Sequence, residues 1–216
     1  MENVPLRDVK PSKEGEETTV FGWVYSKRSH GGLIFLTLRD ATGLIQVTIH
    51  KERVESQVFD RAQKLTLESS VRVMGTIHAD SRAPGGAEIQ CTDLEIVGLS
   101  SDDWPIRPDS GKEFLRSKRH LHIRSPRVSA ILSVRSAVCR SAREWMEENG
   151  FMEVHCPLII TAACEGGATL FPLQYFKRNA FLSQSVQLYQ EAAITTLQKV
   201  YSLEPSFRAE VSRTRR

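Results

Sequence analysis

The chain of 216 residues is poor in cysteine, and none of its four (Cys91, Cys139, Cys156, Cys164) forms a C-x-x-C pair or takes zinc-ligand spacing. That excludes a zinc ribbon and a disulfide scaffold, and makes reduced thiols of a cytosolic protein the expectation. No apolar run is long enough to span a bilayer, and the first residues carry no apolar signal-peptide core. Internal repeats and low-complexity segments are also missing, so repeat arrays drop out. Charge of one sign is scarce: 29 Lys+Arg against 26 Asp+Glu leave a net +3. The total does not mark a nucleic-acid binder, so any such case rests on local placement. The length leaves room for one large domain or two modest ones, each with a core.

The first hundred residues carry β-strand patterning. Aromatic and β-branched residues fill 18–28, and His30-Gly31-Gly32 turns the chain into a second strand at 33–40. Ala41-Thr42-Gly43 leads to a third at 44–50, and 70–78 and 87–98 supply two more. Between the third and fourth, Val54, Val58, Ala62 and Leu65 fall at near-helical spacing, which predicts a short helix within 51–67. Five short strands with a helix between the third and fourth match an OB-fold barrel. Residues two apart share a face of a strand, so Ile34, Leu36 and Leu38, with Ile45, Val47 and Ile49, make the candidate core. Phe35 and Gln46 then lie outside, near Lys27 and Arg28. An aromatic to stack a base, an amide to read its edge and cations for phosphate suit single-stranded RNA. A Phe35 packed under a loop and a solvated Gln46 fit the same spacing.

A Pro-, Asp-, Ser- and Gly-rich stretch at 100–111 reads as a linker, followed by a basic segment at 114–124 that suits either a solvated surface or a nucleic-acid backbone. Ser125 and Pro126 form a helix start, and Ile131, Val134, Val138, Ala142 and Trp145 form an apolar stripe ending at Gly150. A strand at 151–156 is expected next. Glu165 stands alone beside Gly166 and Gly167, as in a plain turn or a mobile loop over a ligand. A strand at 180–183 leads to a helix start at 184–191 with Ser185 as the expected cap, carrying Gln187, Gln190 and Glu191. The last stretch, Pro205-Ser206-Phe207-Arg208-Ala209-Glu210, opens as an expected strand that sets Arg208 and Glu210 side by side. A guanidinium so held suits the bidentate grip of phosphate or carboxylate.

Phe-Arg-Ala-Glu followed by Ser-Arg-Thr-Arg-Arg resembles motif 2 of the class II aminoacyl-tRNA synthetases, nearest to the asparaginyl members. Gly22-Trp23-Val24, Lys27-Arg28, Gly32-Leu33-Ile34-Phe35, Leu38-Arg39-Asp40 and Gly43-Leu44-Ile45-Gln46-Val47 resemble the anticodon-binding domain of the aspartyl/asparaginyl group. The resemblance implies a β barrel plus α/β fold: an OB-fold anticodon-binding domain at 1–100, a hinge at 101–124, and an incomplete class II antiparallel-sheet catalytic domain at 125–216.

It also implies roles. Lys27, Arg28, Phe35 and Gln46 would contact the anticodon, Glu165 and Gln187 the amino group of the amino acid. Arg208 would bridge the amino-acid carboxylate and the ATP α-phosphate, Glu210 would accept from the adenine amino group, and Arg216 would meet the distal phosphates. Gln190 stands where aspartyl enzymes carry a lysine; a neutral Gln190 followed by Glu191 favours an amide, hence asparagine. ATP, asparagine and tRNA(Asn) are the expected substrates, in a cytoplasmic homodimer built through the helix-and-strand motif 1. Expected magnesium has its ligands beyond residue 216, and no metal site is expected within the chain. The expectation is therefore the N-terminal part of a ligase, inactive alone. An aspartyl enzyme that also charges tRNA(Asn), and a tRNA-binding module without catalysis, remain alternatives.

Overall fold

The computed structural model describes residues 3–107, 109–161 and 170–210, which divide into two compact units between Gly111 and Lys112. In the first unit, β1 (Glu17–His30), β2 (Leu33–Arg39), β3 (Leu44–His50), β4 (Ser70–Ala79) and β5 (Ala87–Gly98) close a barrel in the order β1-β2-β3-β5-β4. Helix α1 (Ser56–Lys64) links β3 to β4. The barrel closes because β1 is long enough to serve two neighbours. Glu17–Trp23 pairs with β4 and Trp23–His30 with β2, with a register shift between Val24 and Ser26. Such a shift sharpens the local bend, as closure demands. The expected core faces are observed: Ile34, Leu36, Leu38, Val47 and Ile49 are fully buried and Ile45 nearly so. Val58, Phe59, Ala62 and Leu65 pack into the same cluster from the helical side.

Asp40 holds the β2–β3 turn. Its carboxylate accepts from the Thr42 amide (2.6 Å), the Thr42 hydroxyl (2.7 Å), the Gly43 amide (2.9 Å) and the Leu6 amide (3.0 Å). Burial works against the charge, but these bonds outweigh it and hold the carboxyl below its usual range. Arg39 pairs with Glu68 at 2.8 Å, both largely buried, and lies over the Trp23 ring.

The second unit opens with two short helices, α2 (Lys112–Ser117) and α3 (Arg119–His122), where the sequence suggested a hinge. Helix α4 (Pro126–Glu148) starts as expected: the Ser125 hydroxyl accepts from the Val128 amide, and Gly150 takes a positive φ of 79° just past the end. It is followed by β6 (Met152–Glu153), β7 (Ile159–Ile160), β8 (Pro172–Tyr175), β9 (Arg178–Leu182), α5 (Gln187–Leu197) and β10 (Val200–Tyr201). β6 lies parallel to β10, and β7-β9-β8 form a small antiparallel sheet.

Three expectations are corrected. The strand expected at 151–156 shrinks to Met152–Glu153, because its partner β10 offers only two residues to pair. The stretch from Pro205 to Glu210 is not a strand. A strand needs a ladder, and among the described residues the one backbone bond of this stretch runs from the Phe207 amide to Ser183 O at 3.0 Å. The cap of α5 is Val186; Ser185 sits one residue earlier, its hydroxyl accepting from the Gln187 amide at 3.1 Å.

Candidate nucleotide and amino-acid sites

On the barrel, strand pairing sets Phe35 opposite Arg28 on β1 and Thr48 on β3, and sets Gln46 opposite Thr37 on β2 and Glu88 on β5. Arg28, Phe35 and Gln46 therefore line one cavity of about 390 Å³ with Ser29, His30, Asp80 and Arg82. Glu88, nearly buried, accepts from Gln46 Nε2 at 2.9 Å and from the Thr48 hydroxyl at 3.2 Å. A carboxylate only accepts, so the Gln46 amide must turn its nitrogen to Glu88, which leaves its carbonyl oxygen and one N–H for other partners. Arg82 forks onto Asp80 at 3.1 Å through both Nε and Nη2 and holds that carboxyl below its usual range.

Lys27 does not join this group. Neighbours along a strand point to opposite faces, and Lys27 pairs with Leu36, a core position. Its ammonium donates to Gln63 O (2.8 Å) and Leu65 O (2.5 Å), at the carboxyl end of α1. Desolvation lowers its pKa, with Asp102 opposing. A cation there satisfies helix-end carbonyls and complements the helix dipole.

In the second unit, Gln187, Gln190 and Glu191 line a cavity of about 280 Å³ with Ser185, Val186, Ile194 and Val200. Gln187 Nε2 donates to Glu191 Oε1 at 2.8 Å, and Gln190 Nε2 to the Ser202 hydroxyl at 3.1 Å. Ser185 and Val186 also line a neighbouring cavity of about 150 Å³ with Ser183, Ser202, Glu204, Pro205 and Ser206. Arg208 and Glu210 lie 3.9 Å apart, though not on the strand expected to hold them, and both are solvent-exposed. They line neither cavity among the described residues. Glu165 and Arg216 lie outside the described residues.

Sequence reasoning missed Glu88, Asp80 and Arg82 on the barrel, and Ser202 and Glu204 in the second unit. Glu88 meets Gln46 across 42 residues, a pairing that only the closed barrel creates. No group of three or more His, Cys, Asp or Glu side chains that could hold a metal ion occurs among the described residues. No helix among the described residues is long and apolar enough to cross a membrane.

Comparison with known proteins agrees with this division. Residues 18–97 match the OB-fold nucleic acid binding domain, and residues 111–216 match the tRNA synthetases class II (D, K and N). The asparagine–tRNA ligase of Thermococcus gammatolerans is 49% identical over all of this chain and half of its own length. The aspartate–tRNA(Asp/Asn) ligase of Methanopyrus kandleri is 42% identical over 97% of this chain and half of its own. The structure of Pyrococcus horikoshii asparaginyl-tRNA synthetase complexed with asparaginyl-adenylate superposes with a TM-score of 0.91 at 48% identity, covering all of this chain and half of that one. The chain thus spans about half the length of the relatives it matches. By its barrel, its second unit and these matches, the chain carries an OB-fold nucleic acid binding domain followed by a domain of the class II tRNA synthetases (D, K and N).

Proposed function

We propose that these residues are the N-terminal half of an asparagine–tRNA ligase, which activates asparagine with ATP and transfers it to tRNA(Asn) in the cytoplasm. The observation that carries the amino-acid choice is the α5 cavity, whose polar side chains are neutral or acidic: Ser185, Gln187, Gln190 and Glu191. Among the described lining residues an aspartate side chain would meet no cation, whereas an asparagine amide finds hydrogen-bonding groups. The 49% identity to an asparagine ligase supports the same choice.

Asparagine's carboxylate attacks the ATP α-phosphate, and pyrophosphate leaves. A ribose hydroxyl at the 3′ end of tRNA then attacks the acyl carbon of the adenylate, forming the ester and releasing AMP. Such chemistry is mostly positioning and charge stabilisation. Arg208 bridges the carboxylate and α-phosphate, Glu210 accepts from the adenine amino group, Arg216 meets the distal phosphates, and Glu165 with Gln187 holds the amino group. Magnesium, bound by residues beyond 216, would neutralise phosphate charge. On the barrel, Phe35 stacks an anticodon base, Gln46 reads its edge and Arg28 meets phosphate. Lys27 supports this surface by closing the end of α1. Homodimerisation runs through α4. Ile131, Val134, Val138 and Trp145 on that helix are between 57% and 63% exposed, an apolar stripe of the kind that interfaces cover.

ATP–pyrophosphate exchange by the full-length polypeptide tests the reading. Asparagine should drive exchange far better than aspartate, and the 216-residue chain alone should give none. Exchange driven mainly by aspartate would favour the second reading, an aspartyl enzyme serving both tRNAs, which the Methanopyrus relative supports. Phe35→Ala should weaken binding of a tRNA(Asn) transcript roughly 5- to 150-fold, the loss of about 1–3 kcal/mol of stacking. Unchanged affinity would remove Phe35 from the interface.

A further inference from the structure

Ser202 carries a single hydroxyl proton, and the geometry decides where it goes. Val154 O lies 2.6 Å from Ser202 Oγ, and a carbonyl can only accept. The proton is therefore committed to Val154. The Cys156 thiol, 3.9 Å away, can then only donate to Ser202. Toward Gln190, 3.1 Å away, Ser202 presents a lone pair, so the Gln190 amide must turn its nitrogen to it. Gln190 Oε1 is left as an acceptor on a residue that lines the α5 cavity. An amide free to rotate by 180° would present a donor or an acceptor at will. This one is fixed.

We propose that Ser202 is a positioning residue that sets the amino-acid specificity of the α5 cavity by locking Gln190 with its carbonyl available to the substrate. The inference rests on the ligase reading above. A fixed carbonyl accepts from the side-chain amide of asparagine and repels the carboxylate of aspartate. Without the lock, Gln190 flips its NH2 toward a carboxylate and aspartate gains. Val154 and Ser202 are held together by the parallel pairing of β6 with β10, where Val154 N also donates to Tyr201 O at 2.9 Å, and Gln190 reaches Ser202 from α5.

The test is ATP–pyrophosphate exchange by the full-length polypeptide with asparagine and aspartate separately. Ser202→Ala should lower the asparagine-to-aspartate ratio of kcat/KM about tenfold, the scale of one hydrogen bond made or lost in a site. Most of the change should lie in KM. Ser202→Thr, which keeps the hydroxyl, should restore the ratio. In a Gln190→Met background, Ser202→Ala should change the ratio no further, because the residue it orients is gone. If Ser202→Ala does not fold, Ser202→Cys replaces it with the same expected fall. An active wild type whose ratio is unmoved by these substitutions, or moved equally with and without Gln190, overturns the positioning role alone. A wild type with no asparagine-dependent exchange overturns the ligase reading and this inference with it.

Discussion

Lys27 and Arg28 are adjacent cations on β1, yet the barrel gives them different work, and replacing each with methionine separates the two. Lys27→Met keeps the aliphatic stem but leaves Gln63 O and Leu65 O without their donor. A hydrogen bond to a charged group contributes about 1.5–3 kcal/mol when well buried, and a cation at a helix end about 0.3–1 kcal/mol. Both contributions shrink here. Water can reach the Gln63 carbonyl in the variant, and removing the ammonium also removes the desolvation that lowers its pKa. The expected net loss is about 1 kcal/mol, or roughly 4–8 °C in the melting of a barrel this size. Arg28→Met should leave stability within about 0.5 kcal/mol. Binding of a tRNA(Asn) transcript across a salt series reads the other half. Losing one phosphate contact lowers the slope of log K against log salt by about one, and only Arg28→Met should do so. Urea denaturation and filter binding on the same full-length preparations suffice. A Lys27→Met protein with wild-type stability and a reduced salt slope would refute this assignment of roles.

Gly75 sits at a register shift between β4 and β5, where an added Cβ would lie 2.2 Å from Gln90 O and 2.7 Å from Ile89 Cγ2. Gly75→Ala should therefore cost about 3 kcal/mol or more by denaturant titration, while Gly43→Ala, with nothing within 4 Å, should be near neutral. Burial, reinforced by Asp93, pushes the Cys91 thiol up to about 12 from an ordinary value of 9.0. The folded state thus keeps a proton that the unfolded chain gives up. This contribution is complete below about pH 9 and is lost as pH rises toward about 12, amounting to about 4 kcal/mol at most. Cys91→Ala should flatten the alkaline fall of stability relative to wild type; parallel curves would show that the thiol is not the group concerned.

Much of the barrel is legible in the sequence because strand periodicity is a local property. The two-residue alternation at Ile34, Leu36 and Leu38 names the buried face, and the same alternation names Phe35 and Gln46 as outward. Alternation also separates Lys27 from Arg28, but grouping them as one basic pair concealed it. Only the α1 carbonyls show what Lys27 binds. The start of α4 was equally readable, since Ser125, Pro126 and Gly150 act on the nearest turn. The helix character of 112–122 was not, because a basic segment with scattered apolar residues carries no clear period.

Local chemistry thus set which side chains face outward on the barrel and where α4 begins. Tertiary structure decided what those groups are bonded to. Gln46 is turned by a glutamate 42 residues away, and Gln190 by a serine whose own proton goes to the carbonyl of Val154 on a third segment. A hydrogen bond depends on the direction of its donors and acceptors in space, and spacing along the chain fixes direction only over a turn or a strand. Which end of each amide meets its protein partner is settled where distant segments close on one another.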